Sequence, residues 1–231
     1  MNDQYPPERN AHSEHRWPVA ASILIALTLY TFLPSGLFIV QRYFVVVIGV
    51  FLLIPLIVVN PHRYVRETRI SRIVEMSLAL VIVLANQVTF VLLIMQLLQQ
   101  PEQGERLLLA SLQVWVTNVI GFALLFWCID RGGPVARTRD SRDELPLADF
   151  RFPQDEDRDA ITEVARRSSV KSDWTPTYID YLYFSLTNSM AFSATDTMPL
   201  STRAKILMGV QSFAGFLLLA LVIARAVAEV G

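Results

Sequence analysis

Cysteine, histidine and lysine are nearly missing from this chain. Cys128 is the only cysteine, so neither a disulfide framework nor a thiolate metal cluster can form within one chain. It lies in an apolar run and reads as a small buried hydrophobe. The histidines are His12, His15 and His62. His12 and His15 have helical i,i+3 spacing, but the tail around them is polar and reads as disordered, which argues against a metal site. Lysine occurs only at Lys171 and Lys205, every other basic residue being arginine. We read that bias as base composition of the gene, not function.

A surplus of basic charge is missing too. The formal net charge is −1, which gives no general attraction to nucleic acid. No Walker-type glycine loop, no G-x-S-x-G elbow and no H-E-x-x-H pair occurs. No internal repeat or low-complexity tract is present. The run Asp155-Glu-Asp-Arg-Asp159 lacks the spaced ligands and central glycine of an EF-hand loop and reads as a solvated face. No cofactor or metal is expected, and an enzyme is disfavoured. Hydroxyls and Asp196 near the C-terminal part have no histidine beside them to act as a base.

What is there is apolar. Of 231 residues 53% are hydrophobic, with a mean hydropathy of +0.40. Soluble domains run at about 45–50%, and here the apolar residues gather in runs, which argues for a membrane protein. Residues 1–16 read as a disordered polar tail. Residues 17–129 read as a four-helix transmembrane region. Its helices cover about Trp17–Leu33, Tyr43–Val59 (with Pro55 inside), Ile73–Leu98 and Leu107–Ile129. Pro34-Ser35-Gly36 and Asn60-Pro61 supply turn chemistry between them. Glu75 is expected to pair with Arg72 or to snorkel. Asn86, Gln87, Gln113, Thr117 and Asn118 are expected to hydrogen-bond between helices. Phe126-Trp127 fits an interfacial aromatic belt.

Residues 130–175 form the one long polar segment, with nine basic and eleven acidic side chains. A short surface helix within Asp155–Lys171 is expected, with Ile161, Val164 and Ala165 on one side. Residues 176–231 then hold the most unusual feature of the chain. Tyr181, Phe184, Leu186 and Met190 form the apolar side of a half-apolar helix. Small and hydroxyl residues follow from Ser193 to Thr197 and Pro199 stops the run. A long apolar segment, Ala204–Val227, comes next. A short helix, a polar loop and a full span make a pore-loop pattern. Irregular backbone is tolerated at membrane depth only where protein buries it or a wet cavity meets it. The pore-loop candidates are Thr187, Asn188, Ser193, Thr195, Asp196 and Thr197. Asp196 also suits a cap or an Asx turn before the last helix.

Charge sets the expected orientation. With the N-terminus inside, fifteen of the twenty basic residues fall in the tail, the Arg63–Arg72 loop and residues 130–175. Re-entry of 178–199 keeps Arg203 and Lys205 inside as well, whereas a full crossing puts them outside. The expected fold class is thus an all-α integral membrane protein of the bacterial inner membrane. It has five transmembrane helices plus a re-entrant pore-helix-like element before the last span. Its partner is the lipid bilayer.

Two resemblances bear on this stretch. Tyr183-Phe184-Ser185, then Asp196 and Pro199, then a long helix with Gly215, resemble the pore module of potassium channels: pore helix, filter and inner helix. That implies a homo-oligomer, a tetramer if the loop forms a pore. The filter departs from the family. Ala191, Phe192, Ser193, Ala194 and Thr195 stand where the family has threonine, valine, glycine, tyrosine and glycine. Such filters aim backbone carbonyls at the ion, in conformations that cost a non-glycine residue about 1–2 kcal/mol each. Ser193 and Thr195 therefore exclude potassium selectivity.

The second resemblance covers most of the chain. Trp115-Val-Thr-Asn118, Asp130-Arg-Gly-Gly-Pro134, Phe152-Pro153, Asp180-Tyr-Leu-Tyr183, the stretch Ala191–Leu200 and Gln211-Ser212 resemble an uncharacterised family of bacterial multi-spanning membrane proteins. This resemblance implies the architecture and no activity. The function expected is structural or partner-binding. A channel or small-solute transporter without potassium selectivity is the alternative, and a membrane enzyme a third.

Overall fold

A computed structural model of the chain describes residues 11–33, 35–59, 63–64, 68–99, 104–156, 159–191 and 196–230. They are mostly helical. The long elements are α1 (Trp17–Thr31), α2 (Ser35–Val59), α3 (Arg69–Gln99) and α4 (Gly104–Ile129). Three short helices follow, α5 (Pro134–Arg139), α6 (Thr162–Ala165) and α7 (Ser169–Ser172). Then come α8 (Tyr178–Ala191) and α9 (Thr202–Val230). A departure from pure α structure is a two-residue ribbon of β1 (Phe150–Arg151) and β2 (Met198–Pro199), antiparallel with Phe150 opposite Pro199.

Among the described residues three stretches are long and apolar enough to cross a membrane: Arg69–Gln96, Leu107–Gly132 and Thr202–Arg225. Trp17–Thr31 and Arg42–Ile54 are shorter apolar helices. Ser35-Gly36 opens α2, where turn chemistry suggested a longer loop, and α2 continues through Pro55. The start of α3 lies four residues ahead of the apolar run. There Thr68 and Ser71 cap each other: the Thr68 amide donates to the Ser71 hydroxyl at 2.9 Å and the Ser71 amide to the Thr68 hydroxyl at 3.1 Å.

The interhelical bonds fix the directions. Asn86 of α3 donates to the Val114 carbonyl and the Thr117 hydroxyl of α4, and Gln87 donates to Asn118. This is the interhelical role expected of these residues. Gly121, four residues after Thr117, lies against Ile82 and Val83, three to four residues before Asn86, so α3 and α4 run antiparallel. Ser185 of α8 meets Gln211 of α9, and Ser189 meets Gly215, so α8 and α9 run in the same direction. Ser185 also donates to the Val119 carbonyl, four residues beyond Trp115, which shares a pocket with Ser189. Hence α4 runs against both.

One end of this bundle is polar and carries the rest of the chain. Residues 11–16, Arg63-Tyr64 and the described residues of 130–178 meet there. Residues 11–16 are not a free tail: Arg16 is buried, and Tyr64 donates its amide to the Glu14 carbonyl at 3.1 Å. Residues 1–10 lie outside the described part. The segment 130–175 is a folded cap, not a solvated linker, because it brings its own apolar anchors. Phe150 and Phe152 are buried. Phe150 packs on Phe126 and Phe184 with ring centroids 5.1 Å from each. Phe126 is consequently interior, and Trp127 is covered by Tyr64 and Tyr178; at 0% and 1% exposure the pair forms no lipid-facing belt. The short surface helix expected within 155–171 is present as two pieces, α6 and α7, after a 3-10 turn at Pro153–Asp155. Ile161 and Val164 are exposed, while Ala165 alone of the three is buried.

Candidate functional site

Sequence Arg131-Gly-Gly-Pro134 forces the chain to reverse where α4 ends. Arg131, Gly132 and Gly133 all have positive φ, at 50°, 80° and 95°. Glycine adopts such angles freely, and Pro134 then starts α5. Arg131 is the strained member, and bonds hold it. Its guanidinium donates to Asp155 at 2.5 Å and to the Phe150 carbonyl at 3.2 Å.

Asp130 is the hub of this end. Its carboxylate is fully buried. Oδ1 accepts the Asp149 amide at 2.7 Å, and Oδ2 accepts the Tyr181 hydroxyl at 2.5 Å. One side chain thus joins the end of α4, the approach to β1 and the first turns of α8. Asp149 does the same for α9. It accepts from Ser201 and twice from Arg203, and its carbonyl accepts the Leu200 amide at 2.8 Å. Arg137 is buried among them, donating to the carbonyls of Pro176 at 3.1 Å and Trp127 at 2.7 Å, and its guanidinium lies 5.0 Å from the Tyr181 ring centre. Paired in this way, buried charges are tolerable.

Glu14 completes the cluster from the N-terminal side. Its carboxylate accepts the Trp127 indole N–H at 2.9 Å and the Tyr178 amide, and lies 3.7 Å from Arg137. Burial pushes its carboxyl above the ordinary value of 4.5, partly offset by Arg137 and by these two bonds. No sequence feature singled out Glu14 or Asp149. Asp130 stood only within a quoted motif.

The pore-loop candidates divide. Asn188 is buried and donates to the Gln211 side chain at 2.8 Å and the Met208 carbonyl at 3.2 Å. The Ser212 hydroxyl donates to the Asn188 side chain at 3.0 Å. Asn188 therefore ties α8 to α9 inside the chain. Thr187, half-buried, bonds back within its own helix to the Phe184 carbonyl at 2.9 Å. Ser193 and Thr195 lie outside the described residues. Thr197 is buried and Asp196 is exposed. Asp196 does not cap α9. Ser201 does: its hydroxyl accepts the Ala204 amide at 3.2 Å. The tip of α8 rests on α9 so closely that a Cβ at Gly215 would lie 2.5 Å from the Ser189 carbonyl oxygen.

Two cavities border this element. An apolar one of about 320 Å³ lies between α4, the tip of α8 and α9, lined by Leu112, Trp115, Met190 and Leu218 among others. An open one of about 560 Å³, lined by both polar and apolar side chains, lies where residues 12–18, Arg63 and the start of α8 meet. Among the described residues no group of three His, Cys, Asp or Glu side chains is placed to hold a metal. Comparison with protein-family models, with curated proteins and with solved structures gives no match.

Proposed function

We propose that the chain is a non-conducting membrane scaffold whose re-entrant helix is bolted to a folded cap on the cytoplasmic side. The observation that carries this reading is where the polar groups of α8 point. Ser185, Asn188 and Ser189 are all buried, and Ser185 and Asn188 bond to α4 or α9 of the same chain. A pore helix at work in a channel would direct groups toward a shared axis. These groups are already satisfied within the chain, and unsatisfied polar groups at that depth would be costly. Hydrogen bonding of this kind between membrane helices serves packing.

Re-entry is supported by direction and by the ribbon. Because α8 and α9 run the same way, the chain must return to the end where α8 starts before α9 begins. Met198-Pro199 pairs with Phe150-Arg151 at the end where α8 starts. With α1 and α2 as the remaining crossings, the count is five spans, and the cap, residues 11–16 and Arg63 share the N-terminal side. Arginine-rich segments belong on the cytoplasmic side, in a bacterial inner membrane. The protein is read as no enzyme.

Channel activity is the second reading. Exposed Asp196, half-buried Thr187 and buried Thr197 are the candidates whose side chains bond to no other helix among the described residues. The test is labelling in a Cys128→Ala background. Single cysteines at positions 140 and 200 should both react with an impermeant thiol reagent only after the cytoplasmic side is opened. Labelling of position 200, but not 140, on intact cells would mean a full crossing and would end the re-entrant reading.

A further inference from the structure

We propose that the open cavity between residues 12–18, Arg63 and the start of α8 binds the headgroup of an anionic phospholipid. The proposal rests on reading the polar end as lying at the membrane surface. The cavity, about 560 Å³, has two unlike rims. His12, His15 and Arg63 line the polar one. Trp17, 70% exposed, and Ile179, 53% exposed, line the apolar one at the first turns of α1 and α8.

The charge at this site is cationic where a headgroup would sit. Arg63 is exposed. It donates to the Ser13 carbonyl at 3.3 Å and lies 3.2 Å from the His15 Nε2, and among the described residues no carboxylate pairs with it. Those two contacts orient the guanidinium and leave its charge uncompensated. Glu14, the acidic residue of the lining, turns its carboxylate inward to Trp127 and Tyr178. A guanidinium fork suits phosphate oxygens through paired N–H bonds.

The apolar rim decides for a lipid over a free anion. Tryptophan favours the headgroup level of a bilayer, and Trp17 and Ile179 together would meet the glycerol and upper acyl carbons. Inorganic phosphate shares the headgroup chemistry but has nothing to lay on these side chains. Basic pockets beside membrane helices on the cytoplasmic face recognise anionic headgroups in this manner.

The test uses the full chain in a nonionic detergent. Dihexanoyl phosphatidylglycerol, dihexanoyl phosphatidylcholine and inorganic phosphate are titrated separately, with tryptophan fluorescence and thermal stabilisation as readouts. Arg63→Gln is compared with Arg69→Gln, which removes the same charge at an exposed site outside the cavity. The phosphatidylglycerol should bind about five-fold more tightly than the phosphatidylcholine. Arg63→Gln should weaken it about five-fold, and Arg69→Gln less than about two-fold. Equal affinity for the two lipids would overturn the proposal. So would equal losses in the two variants, which would mean diffuse surface attraction. Phosphate binding as tightly as phosphatidylglycerol, with the same dependence on Arg63, would overturn it in favour of an inorganic anion site. None of these failures touches the scaffold reading, whose labelling test does not involve Arg63.

Discussion

Gln211 grips Ser185 twice: its Nε2 donates to the Ser185 carbonyl at 2.9 Å and to the Ser185 hydroxyl at 2.6 Å. Its Oε1 accepts from Asn188 at 2.8 Å. One amide side chain on α9 therefore holds two successive turns of α8. Gln211 is fully buried, so every one of its bonds is made away from water.

Removal of that amide leaves groups without partners. Gln211→Leu should destabilise the protein in mixed micelles by about 1–3 kcal/mol, the scale of buried polar groups left unsatisfied. In a double-mutant cycle with Ser185→Ala the coupling should be about 0.6–1.7 kcal/mol, as for other interhelical bonds in membranes. Additive losses would show that Gln211 and Ser185 do not work as a pair.

Two glycines on α9 should respond in opposite ways. A Cβ at Gly215 meets the Ser189 carbonyl oxygen at 2.5 Å, and that oxygen is backbone, so α8 itself must move. Gly215→Ala is expected to lose about 1–3 kcal/mol. A Cβ at Gly209 meets nothing within 4 Å. Gly209→Ala should be neutral or gain up to about 1 kcal/mol from helix propensity. Unfolding titrations of both variants measure this contrast, and equal effects would contradict the close approach of α8 to α9.

Much of the helical framework was legible because hydrophobic runs are the strongest signal a sequence carries. The amides Asn86, Gln87 and Asn118 also declared themselves, being polar groups inside apolar runs with few other things to do. The cap was not legible. Its buried charges, Asp130, Arg131, Arg137, Asp149 and Asp173, come from a segment of nearly balanced charge. Local composition cannot tell a solvated charge from one paired nineteen or more residues away, as Asp130 is with the Asp149 amide. Phe126 and Trp127 were misread for the same reason. An aromatic pair at a helix end suits lipid until something covers it, and here distant residues do: Phe150 of the cap lies on Phe126, and Tyr64 and Tyr178 lie on Trp127. Asn188 reads as a pore residue from its position and as a packing residue only once Gln211 is opposite it. Asp196 suited a cap by its residue type, but Ser201 stands closer to the helix start and takes the role.

Glu14 gives the cap a pH dependence of known sign. Its carboxyl is raised above 4.5 by burial, so the folded protein binds the proton more tightly than the unfolded chain. Its contribution is fully present below the unfolded value and is lost as pH rises through the folded one. Glu14→Gln cannot titrate. The stability of the parent relative to Glu14→Gln should therefore fall as pH is raised from below 4.5 toward neutrality. Thermal midpoints of the two proteins across that range supply the difference. A parent that gains on the variant with rising pH would mean that Arg137 and the two bonds to the carboxylate outweigh its burial.

Asp196 separates the scaffold from the channel. It is exposed, and α9 is capped by Ser201 in its place. Its side chain therefore contributes little to the fold, and Asp196→Ala and Asp196→Asn should each change stability by less than about 0.5 kcal/mol. Ser201→Ala, which removes the cap and a bond to Asp149, should lose about 1 kcal/mol or more. Flux then decides between the functions. In a conducting protein a carboxylate facing a wet cavity attracts cations, and both substitutions would lower the flux by similar amounts. In a scaffold the parent and both variants pass no more sodium or potassium than empty liposomes. We expect the second result. The groups of α8 that could have lined a path are bonded within the chain, and Ser193 and Thr195 stand where a resemblance to a channel pore module would call for the glycines of a selective filter. Cation flux from the purified parent in liposomes, reduced alike by Asp196→Asn and Asp196→Ala without a loss of stability, would sink the scaffold reading.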